Sequence, residues 1–318
     1  GGKQVSVAII GAGFISEYHI DGIRAAGGAD ITTLVGRNLS KTKQRAEELQ
    51  IAKASVDFDT VLQDPMIEGV VIATPDATHK PLAIAALDAG KCVLLQKPMA
   101  MNTGECGEII AAAERSSARL SVSFMHRYFP EVRWLREQID KKAFGKIHSV
   151  RMRNATSGAG WATWLYDPKN VAGGVVMQLG VHGIDLVQHL FGPLANATHE
   201  MSWTEVSGTD RFRLEVYFED GTVWLRTNEG AALFSKSRKH GPADWQSATL
   251  NREPLGQSHH RHWLKVVRGS VPPDDTAQAG LSASIVAEHI YRSVVIKPFL
   301  WSIFSVYDKS VCQGKRVS

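Results

Sequence analysis

The chain reads as an α/β protein in two parts. Residues 1–125 predict a doubly wound parallel sheet, and residues 126–318 an α+β half with an open, largely antiparallel sheet. Three observations carry this. Apolar strand-like runs alternate with helix-like stretches through the first part. Each of those runs ends in polar or turn-forming residues, as expected where a ligand crevice lies beyond strand C-termini. From Met125 onward the runs change to period-two alternation, first at residues 147–153 and again at 211–218.

The first run, within residues 5–16, stops at Gly11-Ala12-Gly13 and passes into a helix over 15–26. A strand feeding a glycine turn feeding a helix is a phosphate cradle. Gly11 permits the tight turn, Gly13 allows close backbone approach, and the helix N-terminus offers free N–H groups and a partial positive charge. Ser16 stands where a third glycine is usual and is small enough for helix to pack on strand. A second strand, 30–35, ends at Gly36-Arg37-Asn38. A carboxylate at that point would bind a ribose 2′-hydroxyl and select NAD. Arg37 supplies a cation instead, which favours the 2′-phosphate of NADP over NAD.

Next come a helix over 40–49 with Ser40 as N-cap, a short strand at 56–57, a helical turn at 60–62 and a buried strand over 70–73. That strand ends in Thr74-Pro75-Asp76-Ala77-Thr78-His79. An alanine-rich helix over 81–89 stops at Gly90, and strand 92–95 ends in Gln96-Lys97-Pro98. A helix over 104–115 and a strand over 120–124 complete the sheet. In the second part, a helix is expected over 130–139, and Asp220-Gly221 turns strand 211–218 into strand 222–226. Segments 231–234 and 247–250 add further strands, and helices are expected over 263–268 and 282–295. A second glycine-rich helix start runs from Gly173-Gly174 to Asp185.

Composition narrows the function. The 318 residues carry a net charge of +4 and show no basic stripe interleaved with aromatics, which argues against a nucleic-acid partner. Cys92, Cys106 and Cys312 make neither a disulfide framework nor a CxxC pair, and no secretory signal opens the chain; both suit a cytoplasmic protein. The longest charge-free apolar run near the end, 298–307, is too short to span a bilayer, so no membrane association is expected.

Five blocks in order resemble the glucose–fructose oxidoreductase / inositol dehydrogenase / rhizopine catabolism (Gfo/Idh/MocA) family. They are Gly11-Ala12-Gly13-Phe14-Ile15; Ala73-Thr74-Pro75 through His79; Ala89-Gly90-Lys91 leading to Lys97-Pro98; Arg127-Tyr128-Phe129-Pro130; and Gly173-Gly174 through His182-Gly183-Ile184-Asp185. The resemblance spans roughly residues 4 to 295. It implies an N-terminal Rossmann domain, a C-terminal α+β domain whose open sheet supports a dimer or tetramer, bound NAD or NADP, and hydride exchange with a sugar or cyclitol hydroxyl. It places Gly11, Gly13, Phe14, Ile15, Thr74, Pro75, His79, Gln96 and Lys97 at the cofactor, where Arg37 joins them by the strand-end reading above. Two departures stand out: Gln96 where the family usually has Glu, and Gln178 where it often has Asp. Residues 296–318 do not fit the family's short terminus.

Oxidising a secondary alcohol needs a group that takes the hydroxyl proton as hydride leaves. Lys97, at a strand end in the crevice, can hydrogen-bond the reacting oxygen, and partial desolvation lowers its pKa toward that of a base. On a helix, Gln178, His182, Asp185 and His189 share one face, with Leu186, Val187 and Leu190 opposite. His182 is the second acid/base candidate, titrating near neutrality; Asp185 would orient it or bind a substrate hydroxyl, and Gln178 would position Lys97. Trp161, Trp164 and Tyr166 offer aromatic faces to a sugar ring, and Arg127 binds either substrate or a structural carboxylate. His259-His260-Arg261-His262 reads as a solvated helix entry, and no metal site is expected. The amides at 96 and 178 leave two alternatives to a dehydrogenase: a dinucleotide-binding sensor without catalysis, or an NAD-dependent glycosidase of the same family.

Overall fold

The structure is a computed structural model and describes residues 4–158, 162–192, 197–203, 212–227, 230–239 and 244–293. Its first half alternates strand and helix: β1 (Val5–Ile10), α1 (Phe14–Ala26), β2 (Ala29–Val35), α2 (Leu39–Glu48), β3 (Lys53–Ser55), α3 (Asp59–Gln63), β4 (Gly69–Ile72), α4 (His79–Asp88), β5 (Cys92–Gln96), α5 (Thr103–Arg115) and β6 (Leu120–Ser123). The six strands form one parallel sheet in the order β3-β2-β1-β4-β5-β6. The order reverses beside β1, so the crevice opens above Gly11. The expectation of a doubly wound sheet holds.

The second half contains α6 (Pro130–Asp140), β7 (Ile147–Ala155), one π-helical turn (Val176–Gly180), α7 (Val181–Phe191), β8 (Ala197–Ser202), β9 (Phe212–Phe218), β10 (Gly221–Arg226), β11 (Ala232–Ser237), β12 (Gln246–Ser247), α8 (Gln257–Val267) and α9 (Thr276–Ser293). Its sheet runs β12-β11-β10-β9-β7-β8, antiparallel except for β7 with β8. On β9, Phe212, Leu214, Val216 and Phe218 face α6 and α7, where they pack with Leu135, Leu186 and Leu190. The intervening Arg213, Glu215 and Tyr217 lie on the other face, in register with Arg226, Trp224 and Thr222 of β10.

Several expected boundaries shift, each for a local reason. The third strand is Lys53–Ser55, not 56–57, because Asp57 instead turns the chain: its carboxylate accepts from Asp59 N at 3.0 Å. Asn38, not Ser40, caps α2, its side chain accepting from Lys41 N at 3.0 Å. The strand expected at 247–250 is only Gln246–Ser247; Leu250 packs against the apolar side of the sheet instead. Helix α8 begins six residues before Trp263, because His259 and His260 occupy core positions where apolar periodicity does not see them. Helix α9 begins six residues before Ser282, in a stretch of small residues. Those residues let it lie close to the first sheet: a Cβ on Gly280 would sit 3.0 Å from Met99 Sδ.

Both faces of the first sheet are thus covered partly from the far end of the chain. Trp263, Leu264 and Val267 of α8 join the core under α1, while Ala279, Ala283 and Ala287 of α9 join the core under α4 and α5. No described helix is long and apolar enough to cross a membrane.

Candidate active site

The site is a cleft of about 1480 Å³ along the C-terminal edge of the first sheet, roofed by residues 155–158, 164–165, 170 and 178–179 of the second half. At one end lies the glycine turn. Gly11 has φ +110°, and a Cβ there would fall 2.3 Å from the Ala73 carbonyl oxygen. The turn is held by Gly11 N donating to Val35 O at 2.8 Å and by Ser16 Oγ donating to Gly11 O at 2.8 Å. Ser16 therefore does more than stay small. Gly13 precedes α1 without a side-chain cap, and a Cβ on it would meet no protein atom within 4 Å. Its space lies in the cleft, before the free N–H groups of the helix start. That is the shape a pyrophosphate fills, so the residues fit a dinucleotide.

Arg37, Asn38 and Lys41 line the same end and are exposed. Glu48 also lies there, but it is ion-paired with Arg45 at 3.0 Å. Phe14, 65% exposed, and Ile15 flank the entrance, and Thr74 and Pro75 line the wall. His79 does not line the cleft. It is fully buried, with ring nitrogens 2.9 Å from the Pro98 and Thr74 carbonyl oxygens, so its place is to clamp the strand ends rather than to touch a cofactor.

At the other end Gln96 and Lys97 reach the cleft floor, and the Lys97–Pro98 peptide is cis. Gln96 Oε1 accepts from Lys97 N at 2.9 Å. Lys97 Nζ donates to the main-chain oxygen of Gln178 at 2.5 Å. Burial lowers the Lys97 ammonium to about 8, against the opposing charge of Asp76. Gln178 does not use its side chain on Lys97; that amide donates to Asp76 Oδ2. Trp164, Asn170 and Trp203 complete this end.

Residues 5–124 match the model of the Gfo/Idh/MocA oxidoreductase family with an NAD-binding Rossmann fold, and residues 132–224 match the family's C-terminal domain. The chain belongs to the Gfo/Idh/MocA family. Among its relatives is the scyllo-inositol 2-dehydrogenase (NAD(+)) of Bacillus subtilis, 28% identical over 271 residues, covering 81% of this chain and 76% of that protein. Inositol 2-dehydrogenase 2 of Paenarthrobacter aurescens is 25% identical over 336 residues, covering 91% and 96%. The fold is also that of levoglucosan dehydrogenase solved with NADH and levoglucosan, with TM-score 0.81 at 18% identity over 92% of this chain and 97% of that one. Like its family, the chain is a nicotinamide-dependent oxidoreductase acting on CH–OH groups.

Set among Gfo/Idh/MocA features, some expected site residues move. His182 is buried and does not line the cleft. Burial, with His126 and Lys97 nearby, holds its pKa well below that of a free imidazole, so it does not titrate near neutrality. Asp185 is fully buried and spends its carboxylate on Arg127 rather than on His182, in a bidentate pair with Nε to Oδ2 at 2.8 Å and Nη2 to Oδ1 at 2.5 Å. Burial raises the Asp185 carboxyl to about 6 against the pull of Arg127. Arg127 also reaches Asp275 at 2.6 Å and lies outside the cleft lining. His189, half-buried, has its pKa lowered to about 4 chiefly by burial. The face carrying Gln178, His182 and Asp185 is interior, not solvated.

Of the aromatic residues, Trp164 lines the cleft, whereas Tyr166 stands outside its lining, 47% exposed and edge-on to Trp203 at 6.0 Å. Trp161 lies outside the described residues. The 259–262 histidines are not a solvated entry. His260 Nδ1 donates to Gly256 O at 2.7 Å, leaving Nε2 to accept from His19 Nδ1 at 2.9 Å, while His259 faces Tyr18 Oη at 2.9 Å; these contacts form the seam between α1 and α8. Among the described residues no group of three or more His, Cys, Asp or Glu could hold a metal. Asp76, His126, Asn170 and Trp203 escaped the sequence reading. Only Asp76 carried a signal, as the carboxylate immediately after Thr74-Pro75 at a strand end.

Proposed function

We propose that this chain oxidises or reduces a secondary hydroxyl or ketone of a sugar or cyclitol, using NADP in preference to NAD, with Lys97 exchanging the proton. The observation that carries the reading is Lys97. It is a partly desolvated lysine at the cleft floor whose pKa of about 8 lets it both donate to and accept from a reacting oxygen near neutral pH.

Hydride acceptance or donation is the chemistry a bound nicotinamide supplies. Gly11, Gly13 and the first N–H groups of α1 would hold its pyrophosphate, Thr74 and Pro75 its flank, and Gln96–Lys97 the ring end. In oxidation, neutral Lys97 takes the hydroxyl proton at Nζ; in reduction, its ammonium returns it. Gln178 fixes Nζ through its main-chain oxygen. Buried and held neutral, His182 is a weak base at most, and its part is to shape the wall behind Lys97. Trp164 and Trp203 present aromatic surface to the ring of a substrate, and Asn170 a hydrogen-bonding group. The inositol dehydrogenases named above support a polyhydroxylated substrate. For the second nucleotide pocket, Arg37 and Lys41 favour a 2′-phosphate, since the carboxylate there, Glu48, is already engaged by Arg45.

A panel of sugars and cyclitols with each nucleotide, followed by absorbance of the reduced nicotinamide, tests the reading. Net reduction with at least one substrate is expected. Cleavage without net reduction would point to a glycosidase, and binding without turnover to a sensor. Lys97→Met should cut turnover by roughly a hundredfold or more with nucleotide affinity kept; full turnover in that variant would remove Lys97 from the reaction. A tenfold or greater preference for NAD in a binding titration would defeat the role given to Arg37.

A further inference from the structure

The cleft is lined by two carboxylates among the described residues, Glu48 and Asp76. Glu48 is spent on Arg45 at the nucleotide end. Asp76, 2% exposed, is the one tied to Lys97, through Gln178 rather than by a direct ion pair. Its Oδ2 accepts from the Gln178 side-chain amide and from Ala172 N at 2.9 Å, and the next residue, Ala77, donates its N–H to Asn170 O at 3.2 Å. Gln178 in turn gives its main-chain oxygen to Lys97 Nζ. The amides of Gln96 and Gln178 carry no charge, and a partly desolvated ammonium is favoured by an opposing one. Three titratable groups interact electrostatically with Lys97: Asp76 after β4, His126 after β6 and His182 on α7. The two imidazoles are neutral, so Asp76 supplies the only negative charge among them.

We infer that Asp76 is the positioning residue of this site: through the Gln178 amide it fixes the main-chain acceptor of Lys97, and its carboxylate is the counter-charge of the lysine ammonium. The inference rests on the role given to Lys97 above, but its test does not depend on turnover. In Asp76→Asn the shape and one acceptor oxygen remain and the charge is lost. In the double variant Asp76→Asn with Gln178→Glu, the carboxylate is moved across one hydrogen bond.

Competitive acetylation of the cofactor-free protein with acetic anhydride across a pH series, read by mass spectrometry on the Lys97 peptide, gives the protonation midpoint of Nζ. Asp76→Asn should lower that midpoint by at least about half a pH unit, and the double variant should return it toward the wild-type value. The acid limb of kcat/KM should move with it, kcat falling more than KM rises, while nucleotide affinity stays within about twofold. In Gln178→Met the carboxylate stays but its tie is cut, and Lys97 should label faster above its midpoint. A merely structural Asp76 would lower stability without moving the midpoint. An unmoved midpoint in Asp76→Asn, a midpoint not restored in the double variant, or unchanged labelling in Gln178→Met overturns the inference. Labelling that responds as expected in a protein that turns over no polyol would instead retire the proposed reaction and leave the Asp76 assignment standing.

Discussion

His126 and His182 stack face to face, with ring centroids 4.1 Å apart and planes 5° from parallel. Both rings are buried, and neither Nδ1 has a hydrogen-bond partner. Two charged rings stacked this closely would repel, so the stack favours the neutral imidazoles. Burial lowers His126 to about 3, with Lys97 adding to the effect.

Acid should therefore unfold this protein through its histidines. His126 and His260, lowered to about 3 and about 4, and His19, His182 and His259, held well below the free value, all stay neutral in the folded chain. The unfolded chain protonates them below about 6.5, so stability present above that pH is lost as pH falls toward the folded values. Each group can contribute up to about 1.4 kcal/mol per pH unit. Denaturant midpoints near neutral pH and at about pH 5 should differ markedly, and His260→Gln should flatten the dependence. A midpoint indifferent to pH over that range would contradict the burial of these rings.

The Arg127–Asp185 pair should matter for stability and not for substrate. Asp185→Asn leaves a buried guanidinium with only the more exposed Asp275, a loss of about 3 kcal/mol. Equilibrium denaturation should show this, with KM for any substrate changed less than twofold. A large KM effect at unchanged stability would return Arg127 to the substrate.

The two glycines of the first turn should fail differently. Gly11→Ala places a methyl 2.3 Å from Ala73 O at φ +110°, and should cost about 2 kcal/mol or more of stability along with nucleotide binding. Gly13→Ala meets no protein atom, so it should fold normally and weaken nucleotide binding tenfold or more. Thermal melting with and without nucleotide separates the two outcomes.

Self-association should run through the face of the second sheet opposite α6 and α7. There Trp224 lies between Glu215 and Phe234 in register, its ring 5.5 Å from that of Phe234. Light scattering should give a dimer or tetramer, and Trp224→Glu should shift it toward monomer. A monomeric wild type would refute this.

The sequence exposed most of the first sheet because parallel strands buried on both faces read as plain apolar runs, as at Gly69–Ile72. The glycine turn and Lys97 were legible from position alone, at strand ends. What stayed hidden was polar residues in the interior. His259 and His260 look like a solvated tract, yet they pack the α1–α8 seam. Asp185 looks like a site carboxylate, yet its partner is 58 residues away in sequence, and pairing at that range leaves no local periodicity. Asp76 is visible as a carboxylate at a strand end, but its role is not, because that depends on Gln178, 102 residues downstream.

The return of α8 and α9 to the first sheet has a consequence for how the chain is made. A fragment ending near residue 125 would lack Trp263 beneath Gly69 and the alanine seam of α9, and would present two raw greasy flanks to water. On a ribosome the nucleotide module thus waits, unsealed, until α9, the last described helix, has emerged. Expression of the isolated N-terminal piece should yield aggregates where the whole chain stays in solution.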